Sequence, residues 1–351
     1  MQDLAAPHDR RAVRIRTLLR LCLLPLCASL TVAAQDTPLL SGGVAFLTTT
    51  TGGSTSYQPI IEPLVAAPLG QHVLFESRAL LLEDFVPGGN GYDHIHFIGL
   101  TYMQGDYVAN RHLTAVAGSF IVPFGTYNER LSPVWINNFQ DGPLIAGIGL
   151  LSTGTGVGGE LRGSAIQTPK YSIDYTTWFS ARSGNAYFDS ERSVGGRSSL
   201  YLLGPRLEIG ASYDRSLQGT QENFEGAHVW WEPKDTNFRL RSEFARGQHA
   251  IGYWAEADYR LAARGGADSF WGRFEPLFRI QQTFRLNQTG SDNVPSVNTQ
   301  RADFGLDYNL PHNVRILTSY ARQFSSTGNV NVWETGIVYR FLFPAWKGKG
   351  L

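Results

Sequence analysis

The sequence predicts an all-β protein, a transmembrane antiparallel up-and-down β-barrel of about 14 strands, with 12 to 16 as the range. Three observations predict it. Charged residues make up only 17% of the 351, where about 25% is usual for a soluble chain, yet no stretch after the N-terminus offers the roughly 20 consecutive apolar residues of a membrane helix. The N-terminus is built for export. Beyond it, alternating segments recur to the end of the chain, the last of them rich in aromatics.

Arg10, Arg11, Arg14, Arg16 and Arg20 precede the apolar run from Leu21 to Ala34, which closes on Val32, Ala33 and Ala34. That order predicts a secretory signal peptide over 1–34. Both cysteines, Cys22 and Cys27, fall inside it, so the mature chain is expected to lack disulfides and thiolate metal sites. Taking five arginines and two aspartates from 30 basic and 30 acidic residues leaves 25 and 28, a net charge of −3. Nothing in that balance favours nucleic acid.

Residues 35–71, rich in Thr, Gly, Ser and Pro, read as a periplasmic segment or plug, with an extra strand over 43–50 left open. The barrel is expected over 72–343. Strands are placed at 73–86, 94–106, 112–122, 157–167, 171–182, 194–203, 207–216, 224–232, 237–247, 250–261, 271–285, 300–309, 313–324 and 330–343. Compact turns such as Gly204-Pro205-Arg206 and Leu310-Pro311-His312 alternate with longer connections, notably 123–156, 183–193 and 286–299. Turns on one side and loops on the other are what a barrel in an outer membrane shows. The link at Gln248 and His249 is too short for that pattern.

Within the strands one phase is apolar and the other charged. Ile251, Tyr253, Ala255 and Ala257 alternate with Gly252, Trp254, Glu256 and Asp258, while Phe304, Leu306 and Tyr308 alternate with Asp303, Gly305 and Asp307. A soluble sandwich gives the same period, with its apolar face turned inward. Export, the missing cysteines and the terminal strand favour the barrel, with the polar phase facing a water-filled lumen. The expected pore lining includes Glu160, Arg162, Arg239, Arg241, Glu243, Glu256, Asp258, Arg260, Arg273, Glu275, Arg279, Arg301, Asp303, Glu334 and Arg340. Facing rows of opposite charge would set a transverse field across a pore.

The connection 123–156 exceeds the length of an ordinary loop, and Leu131, Trp135, Ile136 and Phe139 give it material to fold on. It is expected to fold into the lumen as a constriction, with Glu129 and Arg130 at the eyelet; the alternative is an external lid over the rim. His94 and His96, with Asp93 and Asp84 nearby, have the spacing of a strand-borne metal pair, but read more simply as polar residues at the rim. Gly154-Thr155-Gly156-Val157-Gly158-Gly159 fits a nucleotide-binding glycine pattern and lacks its βαβ context. No nucleophile elbow is present; His228 or His249 could serve a barrel hydrolase, but no spacing singles out a nucleophile, so no enzyme, cofactor or metal is expected.

Two resemblances follow from these residues. Glu334, Gly336, Tyr339 and Phe341, near the C-terminus, resemble the β-signal of bacterial outer-membrane proteins, which implies recognition by the barrel insertion machinery; residues 344–351 would then be a periplasmic tail. Gly118-Ser119-Phe120 running into Pro123-Phe124-Gly125 resembles a segment of the phosphate-selective porin O and P family and related outer-membrane porins. That likeness implies a passive channel. Its anion specificity is not implied, because the family's site is rich in lysine and arginine and the lumen set here balances arginines against acids without lysine. The expected function is an outer-membrane porin passing small polar solutes, among outer-membrane lipids, with a homo-oligomer left open. The alternative is a non-conducting structural or adhesive barrel.

Overall fold

The computed structural model describes residues 38–89, 91–147, 154–185, 188–219, 221–263, 266–287 and 294–344. The expected signal peptide and residues 345–351 of the expected tail lie outside these. The chain divides into units 1–35 and 36–351, and the second is described below.

Sixteen antiparallel strands close into one barrel, each paired with its neighbours in the chain. They are β1 (Leu39–Thr51), β2 (Ser54–Pro68), β3 (Val73–Gly88), β4 (Gly91–Asn110), β5 (Leu113–Ile121), β6 (Thr155–Gln167), β7 (Tyr171–Ala181), β10 (Ser193–Leu202), β11 (Leu207–Ser216), β12 (Asn223–Trp231), β13 (Phe238–Arg246), β14 (Ala250–Tyr259), β15 (Phe274–Arg285), β16 (Thr299–Leu310), β17 (Val314–Ser325) and β18 (Gly328–Pro344). A short hairpin, β8 (Ser183–Asn185) and β9 (Phe188–Ser190), lies within the β7–β10 connection.

All fourteen expected strands are present, and the two additional ones correct the reading of 35–71. Residues 39–68 are barrel wall. The terminal strand β18 therefore closes onto β1, with Phe46 opposite Ile337, and not onto the strand at 73–86. Pro59 and Pro63 hid β2, since proline cannot donate to a ladder. The β2–β3 ladder accommodates them by skipping both positions, pairing Tyr57 with Phe85, Ile60 with Leu82, Ile61 with Leu81 and Leu64 with Arg78.

Successive antiparallel strands put alternate connections on opposite rims. One rim, the turn rim, carries the tight connections 111–112, 168–170, 203–206 and 311–313, with left-handed Arg206, His312 and Asn313 completing two of them. It also carries the longer 260–273. The other, the loop rim, carries 182–192, 286–298 and the point where 122–154 leaves the wall. The outward phase is as expected: Tyr253, Phe304, Leu306, Trp333 and Ile337 are exposed, while Trp254, Glu256, Asp258, Asp303 and Glu334 are buried.

The interior differs from a uniformly wet lumen. Phe120, Val122, Phe124, Tyr127, Leu131 and Ile145 pack with Trp178, Ala245, Ala250 and Trp254 in one apolar cluster inside the barrel. A second joins Ala45, Leu47, Ile60, Leu317 and Val338, with Val134 and Trp135 against it. Residues 122–146 bring their own apolar side chains inside, so part of the cross-section is an apolar core whose burial helps hold the segment there.

Candidate pore constriction

The chain leaves the wall where the sequence concentrates Gly and Phe. At Gly118 the backbone sits at φ +131°, and a Cβ there would lie 2.5 Å from the Met103 carbonyl oxygen. Phe120 and Phe124 are buried to either side of the exit. Gly125 then turns at φ +65°, where a Cβ would come within 1.9 Å of Glu243 Oε1. The space is taken because the Glu243 carboxylate receives the start of the loop: Oε2 accepts from Thr126 N (3.0 Å), Thr126 Oγ1 (3.2 Å) and Tyr127 N (3.2 Å). Gly125 N donates to Ser212 Oγ at 3.1 Å, and Arg197 donates to the Gly125 carbonyl at 2.7 Å. A single π-helical turn, Tyr127–Leu131, follows.

From there the segment crosses the lumen, tied to the wall at each step. Val134 N donates to Glu62 at 2.9 Å, Asn138 Nδ2 donates to Glu256 at 3.0 Å, and Leu144 N donates to Gln281 at 2.8 Å. Asp141 pairs with Arg301 at 2.8 Å and gives its carbonyl to Arg279 at 3.0 Å. The Arg279 guanidinium also lies 4.5 Å from the Phe139 ring centroid and pairs with Asp303 at 3.3 Å. These ties run to β2 and β14–β16. Buried ion pairs contribute little net stability when whole, but breaking one leaves a charge that costs several kcal/mol. They therefore fix the loop's position more than they stabilise the fold.

Glu129 and Arg130 sit on the π-helical turn, and each meets an opposite charge on the wall. Glu129 pairs with Arg197 at 2.7 Å, and Arg130 grips Glu208 through two bonds of 2.8 and 3.0 Å, with His228 on the same carboxylate at 3.1 Å. Burial raises the Glu129 carboxyl, but Arg197, Arg130 and Arg162 outweigh it and hold it below its ordinary range. Opposite them, on β4 and β6, Arg162 pairs with Asp106 at 2.5 Å and lies 3.7 Å from Glu160. Arg130 and Arg162 side chains are each 34% exposed and Glu129 28%, so charges of both signs on the turn and on this part of the wall reach solvent.

All of the expected lining residues lie on the inward phase or at a strand end, but their surroundings differ. Glu160, Arg241, Glu243, Glu256, Asp258, Glu275, Arg279, Arg301, Asp303 and Glu334 are buried, most among the loop's own contacts. Arg162, Arg239, Arg260 and Arg273 are half-buried and Arg340 is exposed. Arg197, Asp106, Glu62 and Arg78 were not foreseen. Arg197 stands in a Gly- and Ser-rich strand with no apolar alternation to set its phase. The parity of β4 is reversed by the bulge opposite Arg78 and Ala79, so Asp106 faces inward with Tyr102 while Leu100 pairs with Ala79. Glu62 lies on the unforeseen β2, paired with Arg78 at 3.3 Å.

His94 and His96 both contact the Glu83 carboxylate across the β3–β4 hairpin, while Asp84 belongs to the opposite face. Among the described residues no group of three His, Cys, Asp or Glu has the geometry to hold a metal ion. The glycine-rich stretch ends in β6, whose strand begins at Thr155. His228 is buried on Glu208, and His249 pairs with Glu222 at 2.8 Å.

No protein-family model matches the sequence, and no curated protein matches it. The fold does match solved barrels. OprB of Pseudomonas putida superposes with a TM-score of 0.61 at 12% identity, over 87% of this chain and 94% of that one. OmpF of Salmonella typhi, solved in complex with daunomycin, gives 0.59 at 13% identity over 87% and 97%. A loop-deletion mutant of OmpT, an outer membrane protein of Vibrio cholerae, gives 0.53 at 9% identity over 87% and 100%. At these identities the likeness is one of fold.

Proposed function

We propose that the protein is an outer-membrane porin, a passive channel for small hydrophilic solutes. The observation that carries this is the segment 122–147, held inside the barrel by polar ties to the wall, with the partly exposed Glu129, Arg130 and Arg162 close enough to act on one another electrostatically. Charged groups of both signs at a narrowing orient and select polar solutes, and the matched solved barrels, OprB and OmpF, are outer-membrane porins. The passage runs between the Tyr127–Leu131 turn and the wall around β4 to β6. The pore lining is the half-buried set, Arg162, Arg239, Arg260 and Arg273, with Glu129 and Arg130 at the eyelet; the buried pairs position the loop.

The turn rim faces the periplasm, and the terminal strand carries the signal for the insertion machinery. The upper half of β4 is proposed as a contact between copies of this chain. β5 pairs with β4 only from Met103 onward, so among the described residues the backbone of 91–102 has no strand on that side, beside exposed Tyr92, Ile95, Phe97 and Ile98. Lipid cannot satisfy such an edge, whereas a protein neighbour can.

Planar-bilayer recording of the refolded protein tests the channel. Discrete, ohmic conductance steps are expected. A folded barrel that gives none would favour the non-conducting structural or adhesive alternative, for which the two interior apolar clusters speak.

A further inference from the structure

The outer face of β15–β18 is built in rows. Register sets Phe278, Phe304, Tyr320 and Trp333 side by side, with ring centroids 5.0 Å apart for the first pair and 4.6 Å for the last. The next outward row towards the loop rim is Ile280, Ala302, Arg322 and Asn331, and the one above it is Gln282, Gln300, Phe324 and Asn329. Within two rows β15, β16 and β18 thus change from aromatic to amide, while β17 places the Arg322 guanidinium between Tyr320 and Phe324.

A cavity of about 640 Å³ sits against the upper row, beside residues 286–287, 296–298 and 326, lined by Gln282, Phe284, Gln300, Phe324 and Asn329, with Arg285 and Asn298 beside them. Several of these groups have hydrogen-bonding capacity to spare. Among the described residues the Gln300 and Asn329 amides have no side-chain hydrogen bond, and Arg322 has no carboxylate within ion-pair distance. Arg322 bonds Asn331 and lies 5.5 Å from the Phe324 ring centroid.

We propose that this face seats the headgroup of a phosphorylated glycolipid, with its acyl chains along the aromatic row. The transition from rings to amides is where a bilayer passes from hydrocarbon to headgroup. Amides donate and accept, which suits sugar hydroxyls, and the exposed Phe324 and Phe284 rings offer flat apolar surface for a sugar face. A guanidinium without a carboxylate partner suits a phosphate, whose oxygens match its planar donors. The inference requires the barrel to stand in a membrane; it does not require it to conduct.

Native mass spectrometry of the refolded mature chain in detergent tests it, with three probes: a diphosphorylated, acylated glucosamine disaccharide, its dephosphorylated form, and phosphatidylglycerol. The diphosphorylated glycolipid is expected to remain bound at about one per barrel, and each of the others at least about tenfold more weakly, as expected for losing charge-assisted or multiple hydrogen bonds. Arg322→Gln and, independently, Asn329→Ala should weaken retention, while Arg215→Gln, on the outer face of β11, should not. Equal retention of the three lipids, no change in both variants, or an equal loss with Arg215→Gln would overturn the proposal. Conductance of the same preparations is read separately, so a folded, lipid-retaining barrel that does not conduct would overturn only the channel.

Discussion

Gly125 and Glu243 form the joint on which the interior is organised. The glycine stands in the left-handed region at φ +65°, a Cβ at that position would fall 1.9 Å from Glu243 Oε1, and the other oxygen of the same carboxylate binds the two residues that follow. Turn and anchor are one device, which redirects the chain from wall to lumen within a few residues.

Gly125→Ala should therefore displace the loop's entry without removing any polar tie directly. The left-handed backbone alone costs about 1–3 kcal/mol in a non-glycine residue, and the clash adds to it. The expected result is a lower midpoint of heat-induced unfolding and an altered single-channel conductance. A variant with wild-type values for both would show that the joint tolerates a side chain.

Arg279 is fully buried between Asp303, the Asp141 carbonyl and the Phe139 ring. Arg279→Met keeps much of its volume and leaves Asp303 and neighbouring Glu256 short of a counter-charge, so a loss of about 3–5 kcal/mol is expected. Heat-modifiability on gels reads this directly. An unchanged midpoint would mean that the acids find compensation elsewhere.

Glu129 supplies a pH dependence. Its carboxyl is held below the ordinary value of 4.5 by Arg197, Arg130 and Arg162, against the opposing effect of burial. A depressed carboxylate contributes stability that is complete above its ordinary value and is lost as pH falls through the depressed one. The Glu129–Arg197 tie should thus hold from neutral pH down to about 5 and loosen below 4.5. Conductance should be flat over the first interval and change over the second, and Glu129→Gln should remove that acid-side change. A Glu129→Gln profile identical to wild type would assign the change to another group.

Arg162 is half-exposed and balances Asp106 and Glu160. Arg162→Gln leaves both acids facing the same space, so permeability should shift towards cations. Reversal potentials under a salt gradient measure it, and the shift should shrink at high ionic strength as the charges are screened. A shift towards anions would place Arg162 outside the conducting path.

The strands that sequence made legible are those whose two faces differ most in chemistry. In β14 and β16 every charged residue falls on one phase and the other phase is mostly apolar, and the expected limits lie within two residues of the observed ones. β2 was lost because Pro59 and Pro63 argue against a strand, and only the ladder shows that both positions are skipped. The parity of β4 above its bulge was equally hidden, since one inserted residue exchanges the two faces. At the candidate site, inward direction followed from alternation, whereas burial did not. Alternation says which way Asp303 points; the Asp141 and Phe139 that cover its partner Arg279 come from a loop with no period to read.

The most direct test of the account is access to the passage. Residues 35–351 contain no cysteine, so a single Arg162→Cys can be labelled with a bulky thiol reagent during bilayer recording. Wild type should conduct and ignore the reagent. Arg162→Cys should conduct and then lose most of its conductance in discrete steps on labelling, while Arg246→Cys, whose native side chain is exposed at the loop rim, should not respond. A barrel that never conducts, or a labelled Arg162→Cys that conducts as before, would contradict a channel narrowed between the Tyr127–Leu131 turn and β6.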